Sequence, residues 1–158
     1  MFRNLFKELK WLNGKAFSSA RTQQQAILLL NYVAQGALDT VSEEDLTIGK
    51  ILMGWPLTTP IDLQLPISES AKAAVELLLH DFIHRWMVGK KFSNNWIRQR
   101  FLQRTGRLYQ SPDGGWQLIL EQKSEDILLN KLPTGIGFSL IRYTWMDSLL
   151  HVKWDYNL

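Results

Sequence analysis

Two histidines four residues apart are the first side chains whose types and spacing could support chemistry. In the segment His80-Asp-Phe-Ile-His84 both imidazoles would lie on one face of a helix, as they do in the H-E-x-x-H sequence of zinc hydrolases. The acid is Asp81, one methylene shorter than the usual Glu, and the third histidine, His151, falls in a predicted strand far along the chain. Since no third ligand is indicated, the pattern favours a solvated or interfacial histidine pair, and a zinc hydrolase is the weakest of the functions that the sequence suggests.

A basic stretch is the second feature that could support chemistry. The stretch 85–107 contains seven basic residues and no acidic one. It could follow phosphates while Trp96, Phe101 and Tyr109 stack on bases. However, Trp96 and Phe101 fall on the apolar stripe of a predicted helix, where packing in the core is their expected use. A nucleic-acid-binding module is therefore the alternative function, and its phosphate contacts would come from Arg98, Arg100, Arg104 and Arg107.

The composition removes several other classes of site. The 158 residues include no cysteine, which excludes disulfides, thiolate zinc sites and cysteine nucleophiles. No G-x-S-x-G sequence is present, and Gly135-Ile-Gly137 lacks the remainder of a phosphate-binding loop. The longest apolar stretch, 26–30, is too short to span a bilayer. We therefore expect no enzyme, with no catalytic residue, metal site or cofactor, and no membrane span.

Hydrophobic periodicity predicts the elements that would position these residues. Apolar residues at 3–4 spacing indicate about five helices, three of them capped by Ser18 or Ser19, by Ser68 and by Ser93. The chain then alternates, and 107–110 with 116–121 reads as a hairpin around Asp113-Gly-Gly115. Two further extended stretches, 136–143 and 149–154, complete a small antiparallel sheet of three or four strands. The prediction is an α+β fold in a single domain, 1–158, with a helical part at 1–106 and a β-rich part at 107–158.

Several ordered blocks of the sequence resemble the tape measure proteins of contractile injection systems. The C-terminal blocks are Phe101-Leu-Gln-Arg-Thr-Gly-Arg-Leu, Trp116-Gln-Leu-Ile-Leu-Glu-Gln-Lys, Asp126-Ile-Leu-Leu-Asn-Lys-Leu-Pro-Thr-Gly-Ile and the stretch 141–154. Upstream, Ala26-Ile-Leu-Leu-Leu-Asn-Tyr-Val-Ala-Gln-Gly and Glu44-Asp-Leu-Thr-Ile-Gly-Lys-Ile-Leu-Met-Gly-Trp-Pro-Leu fit in the same order. The sequence departs from the family at Thr134 and at Tyr143-Thr144. The resemblance extends from about Phe2 to Trp154.

The resemblance implies a structural role in a bacterial particle that resembles a phage tail. Members of the family are usually long, whereas a wholly helical chain of 158 residues would span only roughly 240 Å at about 1.5 Å per residue. We therefore expect a module that anchors in the tube and baseplate hub during control of tube and sheath length. The resemblance implies inner tube, hub and spike proteins as partners, and an oligomer matched to their symmetry. It implies the bacterial cytoplasm during assembly and the interior of the particle afterwards.

Arginine and aromatic residues are the candidates for contacts with those partners. Both residue types are enriched at the buried centres of protein interfaces. The opposite interpretation, in which the rings cover the inner face of the sheet, stays open. The candidate partner-binding residues are Arg98, Arg100, Arg104, Arg107, Trp116, Trp145, Trp154 and Tyr156.

Overall fold

The computed structural model describes residues 2–132 and 139–155, and its fold is α+β as predicted. The α-helices of these residues are α1 (Phe2–Glu8), α2 (Ala20–Gln35), α3 (Thr47–Met53), α4 (Glu69–Trp86) and α5 (Asn94–Ile97). Short 3₁₀ helices cover Glu44–Leu46 and Ser124–Lys131, and α5 continues into a π-helical turn at Arg98–Leu102. Helices therefore dominate the first two thirds of the chain.

Serine side chains begin three of the helices, as the sequence predicts. The Ser19 hydroxyl accepts the Thr22 N–H at 3.1 Å, and the Thr22 hydroxyl accepts the Ser19 N–H in return. Ser68 accepts the Ala71 N–H at 3.2 Å, and Ser93 accepts the Trp96 N–H at 3.2 Å. Each bond satisfies a backbone donor that has no partner inside its helix.

A short hairpin near the N-terminus was not predicted. Strand β1 (Leu12–Asn13) follows the end of α1 at Glu8 and pairs antiparallel with β2 (Ala16–Phe17). Gly14 takes the turn with φ 65°, a left-handed conformation that glycine adopts without strain. The Asn13-Gly14 pair is a typical signal for such a hairpin turn.

The second sheet has four strands, within the range predicted, but it is mixed and not wholly antiparallel. Its strands β3 (Gly106–Gln110), β4 (Trp116–Glu121), β5 (Leu140–Ile141) and β6 (Leu150–Asp155) lie in the order β3-β4-β6-β5. The predicted β3–β4 hairpin is confirmed, and β5–β6 is also antiparallel. The β4–β6 pair is parallel. The chain between these strands is long enough for the crossover that a parallel pair requires.

The chain forms two compact units. The N-terminal unit comprises residues 1–78 with 143–147, and the sheet unit comprises 79–142 with 148–158. The segment 143–147, which we call the strap, thus belongs to the N-terminal unit although it follows β5 in sequence. The predicted single-domain organisation remains a prediction.

Each unit has its own set of buried apolar side chains. In the N-terminal unit α2 supplies an almost continuous buried face, joined by Phe6, Met53 and Met146. In the sheet unit the buried side chains include Ile83, Trp86, Ile97, Leu150 and Val152. Alternation along β6 buries Leu150 and Val152 and exposes His151 and Lys153.

Candidate functional site

Arg104 lies inside the sheet unit and binds a carboxylate there. Its side chain is 1% exposed, and its two terminal nitrogens both donate to the carboxylate of Asp126, one of them at 2.8 Å. The same two nitrogens also donate to the carbonyl oxygens of Glu121 at 3.2 Å and Arg100 at 2.9 Å. The guanidinium carbon lies 5.2 Å from the ring centre of Trp154 and 5.4 Å from that of Phe101.

This arrangement gives Arg104 a structural use. A guanidinium that binds a carboxylate with two nitrogens holds both groups in one fixed geometry. Asp126 is 8% exposed and also accepts the Lys123 N–H at 2.8 Å, so its charge is compensated at the start of the 3₁₀ helix Ser124–Lys131. We call Arg104 and Asp126 the buried ion pair. It ties the residues before β3 to the helix that follows β4.

The other three arginines differ in exposure. Arg98 is only 4% exposed, and its Nη1 donates to Asn95 Oδ1 at 3.2 Å. The Arg100 side chain is 55% exposed and pairs with Glu125 at 2.5 Å. Arg107 is exposed on β3. In this conformation, therefore, the side chains that a partner can reach are those of Arg100 and Arg107.

Glu125 carries a lowered pKa beside Arg100. Its own backbone N–H contributes most to this, followed by the Ser124 hydroxyl and then by Arg100. The carboxylate is thus charged at neutral pH and available to the Arg100 guanidinium. A partner that binds the Arg100 side chain must compete with Glu125 for it.

Trp116 and Trp154 lie on one face of the four-stranded sheet. Directly paired residues share a face, and the parallel register pairs Trp116 with Leu150, Leu118 with Val152, and Leu120 with Trp154. Leu150 and Val152 are buried, so this is the inner face. Both tryptophans are half-buried.

Trp145 lies in the strap, within the N-terminal unit. Its ring centre is 6.1 Å from that of Phe6 and 5.2 Å from that of Phe17, and Tyr143 stacks on it at 5.0 Å. Its Nε1 donates to the Leu52 carbonyl at 3.0 Å. Burial raises the pKa of Tyr143. Trp145 therefore closes an aromatic cluster of the N-terminal unit.

Gly54 allows the strap to approach α3 closely. It ends α3 with φ 66°, and a Cβ atom built there would lie 2.1 Å from the Trp145 carbonyl oxygen. The Thr144 hydroxyl, on the same strap, donates to the Lys15 carbonyl at 2.7 Å. Tyr156, the last candidate, lies outside the described residues.

The other face of the sheet presents exposed aromatic, apolar and basic side chains. One row of paired residues across the sheet runs from Tyr109 through Gln117 and His151 to Leu140. The neighbouring row on the same face runs from Arg107 through Ile119 to Lys153. Tyr109 is 46% exposed and Leu140 51%. We call this the outer sheet face, defined by Arg107, Tyr109, Gln117, Ile119, Leu140, His151 and Lys153. Of these residues, sequence reasoning placed Arg107 among the partner-binding candidates and named Tyr109 only as a ring that could stack on bases.

The comparison with protein families decides the class of this molecule. A family model described as contractile injection system tape measure protein matches residues 1–154. The chain belongs to this family. The resemblance read from the sequence blocks is thereby confirmed. No curated protein and no solved structure gives a significant match.

The histidine pair of this tape measure chain is a surface feature. His80 and His84 are both exposed on α4, with ring centres 4.8 Å apart. Within residues 2–132 and 139–155, no group of three or more His, Asp or Glu side chains is placed to hold a metal ion. The zinc-hydrolase hypothesis therefore gains no third ligand from the part of the chain that the structure describes.

The basic stretch does not form one continuous surface of free cations. Arg98 and Arg104 are buried and Arg100 is paired with Glu125. Phosphate contacts require exposed cations, so two of the four arginines on which the nucleic-acid alternative depends are in an unsuitable position. Among the described residues, no helix is both long enough and apolar enough to cross a membrane.

Proposed function

We propose that this chain acts as an anchoring module of a contractile injection particle, binding the inner tube and the baseplate hub while tube and sheath length are set. The family match over residues 1–154 supports this role. The role is structural and uses no catalytic residue, metal or cofactor. The chain assembles in the bacterial cytoplasm and is then enclosed in the particle.

The lengths of the helices carry the anchoring part of the proposal. The longest helix among the described residues is α4, with 18 residues. At about 1.5 Å per residue it extends for about 27 Å. A ruler must extend along the tube that it measures, whereas short helices and a small sheet suit attachment at one point. The described residues therefore fit an anchor better than a ruler.

The outer sheet face is the surface that we assign to the partner. Tyr109 and Leu140 offer apolar contact, and Arg107 with Lys153 adds positive charge. Tyrosine and arginine are the residue types that most often contribute strongly to binding energy. Arg100 is a second exposed contact, whereas Arg98, Arg104, Trp116, Trp145 and Trp154 support the two units from within. An oligomer matched to the tube symmetry would repeat this face around the ring.

Co-purification tests the proposal. Tagged chain should capture inner tube or hub proteins from cells that assemble the particle. The double variant Arg107→Glu/Tyr109→Ala should reduce capture at least about tenfold, the equivalent of roughly 1.4 kcal/mol. Lys91→Glu is the matched control, because Lys91 is exposed and lies outside this face. Capture of neither protein by the native chain would reject the anchoring role, and undiminished capture by the double variant would reject the face.

A further inference from the structure

Strand β3 forms one edge of the four-stranded sheet. In the order β3-β4-β6-β5 it has β4 on one side and, among the described residues, no strand on the other. Leu108 is half-buried, and the other residues of β3 are exposed. The opposite edge is β5, which has only two residues. The edge of β3 is therefore the longer one along which another strand could extend this sheet.

The hydrogen bonds of the β3–β4 hairpin decide which backbone groups of β3 face this edge. The Glu121 N–H donates to the Thr105 carbonyl at 3.0 Å, and the Ser111 N–H donates to the Gly115 carbonyl at 2.8 Å. Bonded and non-bonded pairs alternate along an antiparallel ladder, so the odd-numbered residues of β3 bond to β4. The N–H and C=O groups that point away from β4 are those of Gly106, Leu108 and Gln110.

These outward groups form no hydrogen bond with another described residue. An exposed row of this kind is a template for pairing with another chain, and proteins commonly block it with proline, lysine or a bulge. Residues 106–110 contain neither proline nor lysine, and their register with β4 runs without a bulge. The edge of β3 is therefore open to a further strand.

We propose that β3 pairs with β3 of a second copy of this chain, antiparallel and about a two-fold axis at Leu108. In this register Gly106 of each copy faces Gln110 of the other, and Leu108 faces its own counterpart. Each outward N–H then donates to an outward carbonyl of the other copy. The non-bonded pairs between them set Arg107 of each copy opposite Tyr109 of the other.

The side chains of β3 complement one another in this register. On one face, each guanidinium lies beside a tyrosine ring of the other copy, where a cation–π contact can form. The Arg107 guanidinium is exposed and forms no ion pair or hydrogen bond with another described residue, so it is available for this contact. On the opposite face the two Leu108 side chains meet across the axis, and such directly opposed apolar pairs stabilise a sheet.

The neighbouring two-fold registers fit less well. An axis at Arg107 would set the two guanidinium groups directly opposite each other, and like charges in that position are destabilising. An axis at Tyr109 would set Pro112, which has no N–H, opposite Gly106. The sequence of β3 therefore favours the axis at Leu108.

The pairing should be weak for an isolated chain in solution. A strand pair of five residues buries less than the roughly 1,600 Å² of a standard protein interface, so we expect a Kd on the order of 100 µM. Its hydrogen bonds are those of the strand edge, so it does not depend on the anchoring role.

Sedimentation equilibrium of the full chain tests whether the edge pairs with a second copy. From about 10 µM to about 1 mM, a range that brackets the expected Kd, the native chain should convert reversibly from monomer to dimer. Gln110→Pro removes one outward N–H and no bond to β4, a position where a strand tolerates proline, and it should raise the Kd at least about tenfold. Gln110→Ala loses the same side chain but keeps the N–H, so it should dimerise like the native chain.

Two outcomes of this experiment would overturn the proposal. One is a native chain that stays monomeric at the highest concentration, which would assign the edge to a strand of a different protein. The other is a Gln110→Pro chain that melts like the native chain and dimerises with the same Kd, which would place the dimer contact elsewhere.

Single cysteines test the register independently of the proline variant, because the native sequence contains no cysteine. Arg107→Cys and Tyr109→Cys chains are mixed in equal amounts and oxidised, and the disulfide-linked products are identified by mass spectrometry. Opposed residues of a non-bonded pair have Cα atoms about 4.5 Å apart, which is within the range of a disulfide. The mixed dimer should therefore be the main product, and each variant alone should cross-link slowly. Mixed and like dimers in random proportion, or a predominance of either like dimer, would overturn the register.

Discussion

The two units of this chain are each closed by a contact between distant parts of the sequence, and the two contacts differ in chemistry. The N-terminal unit is closed by the strap, where Trp145 joins an aromatic cluster and its carbonyl lies against Gly54. The sheet unit is closed by the buried ion pair of Arg104 and Asp126. When a few atoms are removed from an apolar contact, the loss of stability is roughly proportional to the apolar area that is removed. A buried ion pair fails abruptly when one charge is removed.

The largest expected effect comes from breaking the buried ion pair on one side. Arg104→Met leaves the Asp126 carboxylate buried without its cation, and such losses cost about 3–5 kcal/mol. The double variant Arg104→Met/Asp126→Leu removes both charges and should recover most of the stability. Urea unfolding monitored by circular dichroism gives both values. If the double variant is no more stable than the single one, the pair is not what closes the sheet unit.

Removing the tryptophan of the strap should have the next largest effect. Trp145→Ala deletes a half-buried ring and its hydrogen bond to Leu52, at a cost of about 3 kcal/mol. Trp145→Phe keeps most of the packing and should cost about 1 kcal/mol, the usual value of one hydrogen bond. Thermal and urea unfolding measure both. Tyr109→Ala, an exposed aromatic on the outer sheet face, is the control and should change stability little. A loss as small for Trp145→Ala as for Tyr109→Ala would mean that the strap does not hold the N-terminal unit.

Adding a single methyl group at Gly54 tests the close approach of the strap. Gly54→Ala combines left-handed strain of about 1–2 kcal/mol with a clash against the Trp145 carbonyl. Gly14→Ala carries the same kind of strain, with φ 65° and no atom within 4 Å of the added Cβ. The Gly54 variant should therefore be less stable than the Gly14 variant by about 2 kcal/mol in urea unfolding, at the scale of a typical overpacking penalty. Equal losses would show that the strap can move away at no cost.

The smallest expected effect is a pH dependence in the N-terminal unit. The Ile61 backbone N–H, and then Lys50, hold the pKa of Glu43 below its ordinary value of 4.5. A lowered folded-state pKa stabilises the protein above the unfolded-state pKa, and this contribution is lost as the pH falls below about 4.5 through the folded value. The stability difference between native chain and Glu43→Gln should thus shrink on acidification from pH 6. A difference that stays constant down to pH 3 would contradict this assignment. Glu44→Gln serves as the matched control.

Local features were predictable from the sequence, because neighbouring residues determine them. The helix caps Ser68 and Ser93 and the β3–β4 hairpin depend on residues only a few positions apart. The inward and outward alternation of β6 follows from its pattern of apolar residues in the same way.

Contacts between distant residues were not predictable in this way. The parallel β4–β6 pair, the position of Trp145, and the Arg104–Asp126 pair depend on which segments meet in three dimensions. Trp145 and Leu52 are 93 positions apart. Within the candidate site, the chemistry that an arginine can supply was predictable, because it depends only on the residue type. Whether Arg104 contacts a partner or holds the fold depends on Asp126, which lies 22 positions further along the chain.

Deleting the gene tests the anchoring role most directly. Tube length and particle number would be measured by electron microscopy in the deletion strain, with the native chain and the Arg107→Glu/Tyr109→Ala variant supplied in trans. An anchor for length control predicts few particles or a broad spread of tube lengths in the deletion strain, restored by the native chain and not by the variant. Particles of normal number and uniform native length without the gene would contradict it.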